Sequence, residues 1–585
     1  MILIPLAMAT TGFDPASPAE VYTGTEVEDL EGSVRLWSAI ELHEDPDRTL
    51  FGEGEFNDVT AWPRDASWAP YIADCFQSET PHTSKFLLHV GPSAAIASGT
   101  PVLFVPGAAD NGSRGFITMA WHEDLLGKPV YAMTFAHPHG DAFQQAEQVA
   151  DAIARIKERT GAAQVDVVAH SKGGISAAIY ASNGGVAGWG EGSTGAAYER
   201  VGTPYQGDIR RLVLIATPLK GIDTAFRWST GNFLSLDAES TFSPSAWEEY
   251  YPYGTGTSWV SEDLRAQDFY AEEGDLFPGH RQIYARQDHP LPGSLTWLGP
   301  YAYQQDWYST YEGGYGYYTY SDGIDGVVDA GGGVLAALQQ NGVDPAVELF
   351  LLAGENPLMP NGYEDWAATQ FGESWAEFGK AERETWADVI ASAVGEGIMS
   401  EELTEEELQG VLSGDLVIGE ISGQSDGLVF LDSANDENML TSRGAVVIES
   451  HIANLSHLDL LYASPITGEL LIEAGAADDD DAWMISFGER YAAEDTIGLV
   501  ESWLADGDDG SGGDEGEVGD EDPVDSGLVD SGTPADPDTD EGQDVDEPGT
   551  LPEECGACNG GHVAPGLLGV VAGLIGVRRR GASRR

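Results

Sequence analysis

The chain has 585 residues, more than one ordinary domain needs, although insertions can swell a single core to this size. Its 98 acidic against 27 basic residues give a formal net charge of −71, which repels nucleic acid and anionic headgroups and excludes nucleic-acid binding as a function. Such a surface suits a salty or calcium-containing exterior, where screening relieves self-repulsion. Three cysteines, Cys75, Cys555 and Cys558, make no disulfide framework.

Residues 1–11 open on an apolar run ending in Ala7-Met8-Ala9. This reads as the back half of a secretory signal without its basic front end, a truncated signal peptide. Residues 12–84 carry Pro, Gly, Asp and Trp with little period and are expected to be an irregular N-terminal extension packed on the core.

From Lys85 the pattern sharpens, and 85–221 reads as the first half of an α/β core. Strands are expected at 86–90, 101–107 and 130–135. An amphipathic helix follows from Asp141 to Arg159, stopped by Gly161. Next come a β-branched strand at Val165–Val168, a turn at Ser171, a helix of small residues, and a strand at 211–216. Strands alternating with helices predict a mostly parallel sheet with active residues at the strands' C-terminal ends.

Residues 222–345 break this rhythm. They are dense in Tyr and Trp and read as a cap inserted over the sheet, most rings forming the cap's own core and a few lining a pocket. The second half of the core spans 346–505. It has a strand at 347–354, an acidic helical insertion at 362–412, a last strand at 444–449 and a closing helix from Glu494 to Ala505.

Residues 506–554 hold about twenty acids and no aromatic or basic side chain, which reads as a solvated, self-repelling linker. A structural Ca2+ is compatible with this run, but it contains no spaced loop with a bidentate acid. Residues 555–585 carry Cys-Gly-Ala-Cys, a short Gly-rich apolar stretch and Arg578-Arg579-Arg580. They resemble myxobacterial-type C-terminal sorting signals on bacterial surface proteins. That likeness implies transient membrane contact, sorting or processing machinery as a partner, and a secreted or surface-anchored product.

The chemistry centres on Ala169-His170-Ser171-Lys172-Gly173-Gly174. A serine between a buried strand and a helix is held in a strained conformation with its Oγ exposed, provided the residues two before and two after are small. Ala169 and Gly173 meet this condition. In a chain with 74 glycines the bare pattern is weak, and a second one occurs at Gly423-Gln424-Ser425-Asp426-Gly427. No small-residue helix follows Ser425, and the roughly thirty residues between it and the last plausible histidine leave no room for the strands that should carry an acid, so Ser171 is the candidate nucleophile.

A serine hydroxyl needs a base, itself oriented by an acid. His457, in the loop after the last strand, is the candidate base, with His451 as its rival. Asp426 is the candidate acid, with Asp322 and Asp325 as second choices and Glu355 as an outside one. The oxyanion donors are expected to be the amide of Lys172, which the turn places, and that of Ala108 after the strand at 101–105. The turn itself asks nothing of the Lys172 side chain. His137-Pro138-His139-Gly140-Asp141 has the spacing of a metal motif but no further ligand cluster, and a helix cap with pocket-lining histidines is the preferred reading.

With these residues placed, the sequence resembles bacterial extracellular lipases and esterases of the α/β-hydrolase fold, the group with an Ala-His-Ser-x-Gly-Gly elbow. The matching pieces are Pro101–Gly107, Val165–Gly174, Ile215–Gly221, Ser425–Val429 and His457–Leu461. The family usually has His where Pro106 stands, and the interval from Ser171 to Asp426 is long. The resemblance implies a Ser171–His457–Asp426 triad acting on lipid or other ester substrates through an acyl-enzyme, with no cofactor required. An extracellular polyhydroxyalkanoate depolymerase is the alternative within the class. A non-catalytic surface binding module on a hydrolase scaffold is the alternative outside it.

Overall fold

A computed structural model of the chain describes residues 13–23, 37–45, 69–77, 81–183 (less 109, 114 and 139), 203–223, 278–289, 328, 333–360, 387–399 (less 389), 403–413, 416–473, 490 and 493–505. The chain divides into two units, Met1–Asp509 and Gly510–Arg585. The second unit, with the acidic linker and the sorting tail, lies outside the described residues, as do the N-terminal run at 1–11 and most of the aromatic insertion.

Among the described residues nine strands form one sheet: β1 (Glu20–Thr23), β2 (Ala39–Glu44), β3 (Lys85–Val90), β4 (Val102–Val105), β5 (Val130–Phe135), β6 (Val165–His170), β7 (Ile209–Ile215), β8 (Glu348–Gly354) and β9 (Val446–Ala453). Their order is β1-β2-β3-β5-β4-β6-β7-β8-β9. Pairing is parallel from β5 to β9 and antiparallel among β1, β2, β3 and β5. With helices on both faces, this is the α/β-hydrolase fold. β6, the central strand, is buried along its whole length, as a β-branched run between two helical layers must be.

Two apolar cores lie on opposite faces of the sheet. One packs α2 (Ala142–Thr160) and α3 (Lys172–Ser182) against side chains such as Leu103, Tyr131 and Val167. The other packs α1 (Ile117–Leu125) and α4 (Thr496–Leu504) against Phe104, Val168 and Leu352. α2 begins and ends as its sequence predicts: Asp141 caps its first turn by accepting from the amides of Phe143 and Gln144, and Gly161 closes it in the left-handed conformation (φ 73°).

The reading of 12–84 as irregular is corrected at β1 and β2, which extend the sheet. Strand β2 reads Ala-Ile-Glu-Leu-His-Glu, which looks solvent-facing on one side, yet Glu41 and His43 are each only 1% exposed. Arg155 and Arg159 from α2 close on the Glu41 carboxylate at 2.6–2.7 Å, and His43 Nε2 lies 3.0 Å from it. Burial alone would raise the Glu41 pKa, but these hydrogen bonds and positive charges outweigh it and hold the group at about 2. A second difference is at the last strand, which runs on to Ala453 and so contains His451.

Within the acidic insertion, Glu405–Ser413 is helical and residues 362–386 lie outside the described part. A short antiparallel pair, Leu358–Pro360 with Leu416–Ile418, brackets the insertion and returns the chain to the sheet edge.

Candidate active site

Ser171 stands at the junction of β6 and α3 with φ 51° and ψ −130°, a backbone that a residue with a side chain adopts only under constraint. The constraint comes from both sides. Its amide donates to the Ile215 carbonyl at the end of β7 (2.8 Å), and its carbonyl accepts from the Gly174 amide (3.0 Å).

The loop after β4 lies directly against this turn. A Cβ on Gly173 would run into the Pro106 carbonyl and sit 2.9 Å from that of Val105, and a Cβ on Gly107 would sit 3.0 Å from the Ser171 Cβ. Ala108, half-buried, follows in the turn. The Lys172 amide is the first of α3, a position with no partner inside the helix. The two expected oxyanion donors therefore lie on the two segments that meet at Ser171.

This loop is braced from beneath. The Gly112 amide donates to Thr134 Oγ1 (2.9 Å), which is paired with His89 Nε2 (2.8 Å), and Trp37 Nε1 donates to Ser113 Oγ (2.9 Å). Complete burial lowers the His89 pKa to about 3, so the ring is neutral at ordinary pH. Nothing in the sequence marks this brace, because its members come from residues 37 to 134 and no spacing links them.

The structure brings the candidate base and the candidate acid together. His457 Nδ1 lies 2.7 Å from Asp426 Oδ2, and the His457 amide donates to the Asp426 carbonyl (2.8 Å). The other carboxylate oxygen accepts from the amides of Leu428 (2.9 Å) and Val429 (2.7 Å). Both residues are buried, Asp426 fully. The rest of the loop carrying His457 is fixed by Asp459, whose Oδ2 accepts from Ser456 Oγ (2.7 Å) and Arg490 (2.8 Å).

His170 connects this pair to the serine turn. Its ring lies with its centroid 4.6 Å from that of His457, tilted by 48°, and its Nε2 donates to the His457 carbonyl (3.2 Å). Burial, and then the neighbouring His457, push its pKa well below the usual histidine range, so it is neutral and donates from Nε2.

The rival candidates lie elsewhere. The His451 side chain is 41% exposed and faces Glu494 at 3.9 Å. Glu355 accepts from Gln424 (3.5 Å). Ser425 is 1% exposed, and its Oγ bonds the Glu420 carbonyl and accepts from the Gly427 amide, the work of a turn residue. Asp322, Asp325 and His139 lie outside the described residues. Among the described residues, no group of three or more His, Cys, Asp or Glu is arranged to hold a metal. Asp141 spends its carboxylate on the α2 cap and on Gln282.

One residue acquires a feature the sequence did not suggest. The Lys172 side chain is only 1% exposed, and its Nζ donates to Gln145 Oε1.

No protein-family model matches the sequence. Among solved structures, the mature form of a Bacillus licheniformis lipase is similar at 14% identity and a TM-score of 0.26, over 64% of this chain and 89% of the other. A Listeria innocua gene product is similar at 11% and 0.25, over 66% and 96%. A Butyrivibrio proteoclasticus protein, Est1E, is similar at 11% and 0.17, over 23% and 47%.

Proposed function

We propose that this chain is a serine hydrolase of carboxylic esters, with Ser171 as nucleophile, His457 as general base and Asp426 as the acid that orients it. The observation that carries the reading is the buried His457–Asp426 hydrogen bond, linked through His170 to a serine held at positive φ. With Asp426 accepting at Nδ1, His457 is the tautomer whose Nε2 lone pair is free to take a proton.

The steps follow from that tautomer. His457 Nε2 takes the Ser171 proton as Oγ attacks the ester carbonyl carbon. The oxygen that gains charge is held by the amides of Lys172 and Ala108. The tetrahedral adduct then collapses, the carbon–oxygen bond to the alcohol breaks, and the imidazolium returns its proton to that alcohol. Water, deprotonated by the same nitrogen, attacks the acyl-enzyme and releases the acid and the serine. An alcohol in place of water would give acyl transfer by the same steps.

Lipid or other long-chain acyl esters are the substrates we favour, because the elbow and its order along the chain match that lipase and esterase pattern. Secretion or surface attachment rests on sequence: the tail, the apolar run at 1–11 and the acidic surface. Hydrolysis of p-nitrophenyl esters of increasing acyl length, with polyester film in parallel, tests the assignment. Turnover of the long-chain esters that disappears in Ser171→Ala supports it. Film hydrolysis without long-chain ester turnover favours the depolymerase, and no turnover of either favours a binding module.

A further inference from the structure

Three segments converge on the Lys172 side chain. α3 supplies the lysine. The Gly140 turn and α2 supply Gln145, whose Oε1 accepts from Lys172 Nζ and from Ser176 Oγ (3.3 Å), and whose Nε2 donates to the His137 carbonyl (2.9 Å). The third segment is the helical turn Pro278–Ile283, a described part of the aromatic insertion. A Cβ at Gly279 would run into the Gly140 carbonyl and Lys172 Cε, and would lie 2.6 Å from Nζ. Gln282 in the same turn donates to Asp141 and accepts from the Ala142 amide (2.7 Å), tying the insertion to the start of α2.

Among the described residues, Nζ has no carboxylate within ion-pair reach, and the Asp141 charge acts on it only from farther away. Burial accordingly lowers its pKa to about 7. A buried amine with one neutral acceptor is a poor way to gain stability, since an apolar side chain of the same shape is often as good or better. The lysine head therefore calls for a reason other than stability. Its backbone amide, at the other end of the same residue, is a proposed oxyanion donor.

We propose that Lys172 and Gln145 act together as positioning residues. In this arrangement the buried side-chain bond pegs the first turn of α3 to α2 and to the insertion, and so holds the Lys172 amide where the developing oxyanion needs it. This rests on the serine-hydrolase reading above. The peg acts on the transition state and leaves ground-state substrate binding alone, because donor placement matters most when the oxygen carries charge.

The test compares Lys172→Met, which keeps the stem and loses the head, with Gln145→Leu and the double variant, on a soluble p-nitrophenyl ester. Each single variant is expected to lose about tenfold in kcat with KM unchanged. K172M should keep or raise the melting temperature, a split that a merely structural role would not give. The double variant should lose no more than the worse single one, because both remove the same bond. Wild-type kcat in K172M or Q145L, or losses that multiply in the double variant, would overturn the proposal while S171A remains inactive. If K172M fails to fold, Q145L carries the same test from α2. If S171A keeps wild-type turnover, the hydrolase reading fails first and this proposal fails with it.

Discussion

The imidazole of His457 and the carboxylate of Asp426 are joined by a 2.7 Å hydrogen bond although about seventy residues separate Asp426 from the strand end it returns to. Gly419 donates to the Pro357 carbonyl (2.7 Å) and Asn356 to that of Leu455 (3.2 Å), so the loops after β8 and β9 are laced together whatever is inserted between them. In Asp426→Asn the side-chain oxygen can still accept from Leu428 and Val429, so the loop persists. Its amide, however, presents a donor to Nδ1 and forces the other tautomer. The expected result is a loss of about 10³–10⁴ in kcat with a near-native melting temperature. Ester turnover within tenfold of wild type would remove Asp426 from the mechanism.

Gly173→Ala tests the contact between the elbow and the loop after β4. The added methyl meets the backbone oxygens of Pro106 and Val105, which no side-chain rotation can clear. Overpacking of this kind costs about 1–3 kcal/mol. Because the displaced segment leads to Ala108, turnover should fall at least about tenfold, beyond what the folded fraction explains. Calorimetry with active-site titration checks this. An unchanged specific activity per folded molecule would separate the loop from catalysis.

His89 links acid sensitivity to the brace under the same loop. Burial lowers its pKa from 6.5 to about 3, so the unfolded chain takes up this proton at a higher pH than the folded chain does. The stability that neutral His89 contributes is fully present above pH 6.5 and is lost as the pH falls from 6.5 towards 3. His89→Gln cannot take up that proton. It should be less stable than wild type by about 1–2 kcal/mol at pH 8, with the gap narrowing or reversing by pH 4. Urea unfolding at a series of pH values measures the gap, and a constant gap would contradict the assignment.

How much of this was legible in the sequence depends on where each residue's partner lies. The elbow could be read because its requirements are local: a β-branched run, a serine, then glycines where strand and helix nearly touch. Asp426 and His457 could be read from their order relative to strands, since each loop leaves one sheet edge. Strand β2 could not, because Glu41 and His43 look like a wet face until Arg155 and Arg159 arrive from 114 and 118 residues away. His451 rivals His457 only if the last strand stops at 449. Strand β9 runs on to Ala453 and turns that side chain outward beside Glu494. The burial of Lys172 was hidden for the same reason as β2, since its acceptor and the glycine that makes room for it belong to other segments.

The most direct measurement is covalent labelling with a fluorophosphonate, in which the activated serine oxygen bonds to phosphorus as fluoride leaves, followed by mass spectrometry of the peptides. The account predicts one equivalent of label on Ser171, absent from Ser171→Ala, with ester turnover lost in step with labelling. Label on Ser425 or another serine, or turnover that survives complete modification of Ser171, would contradict it.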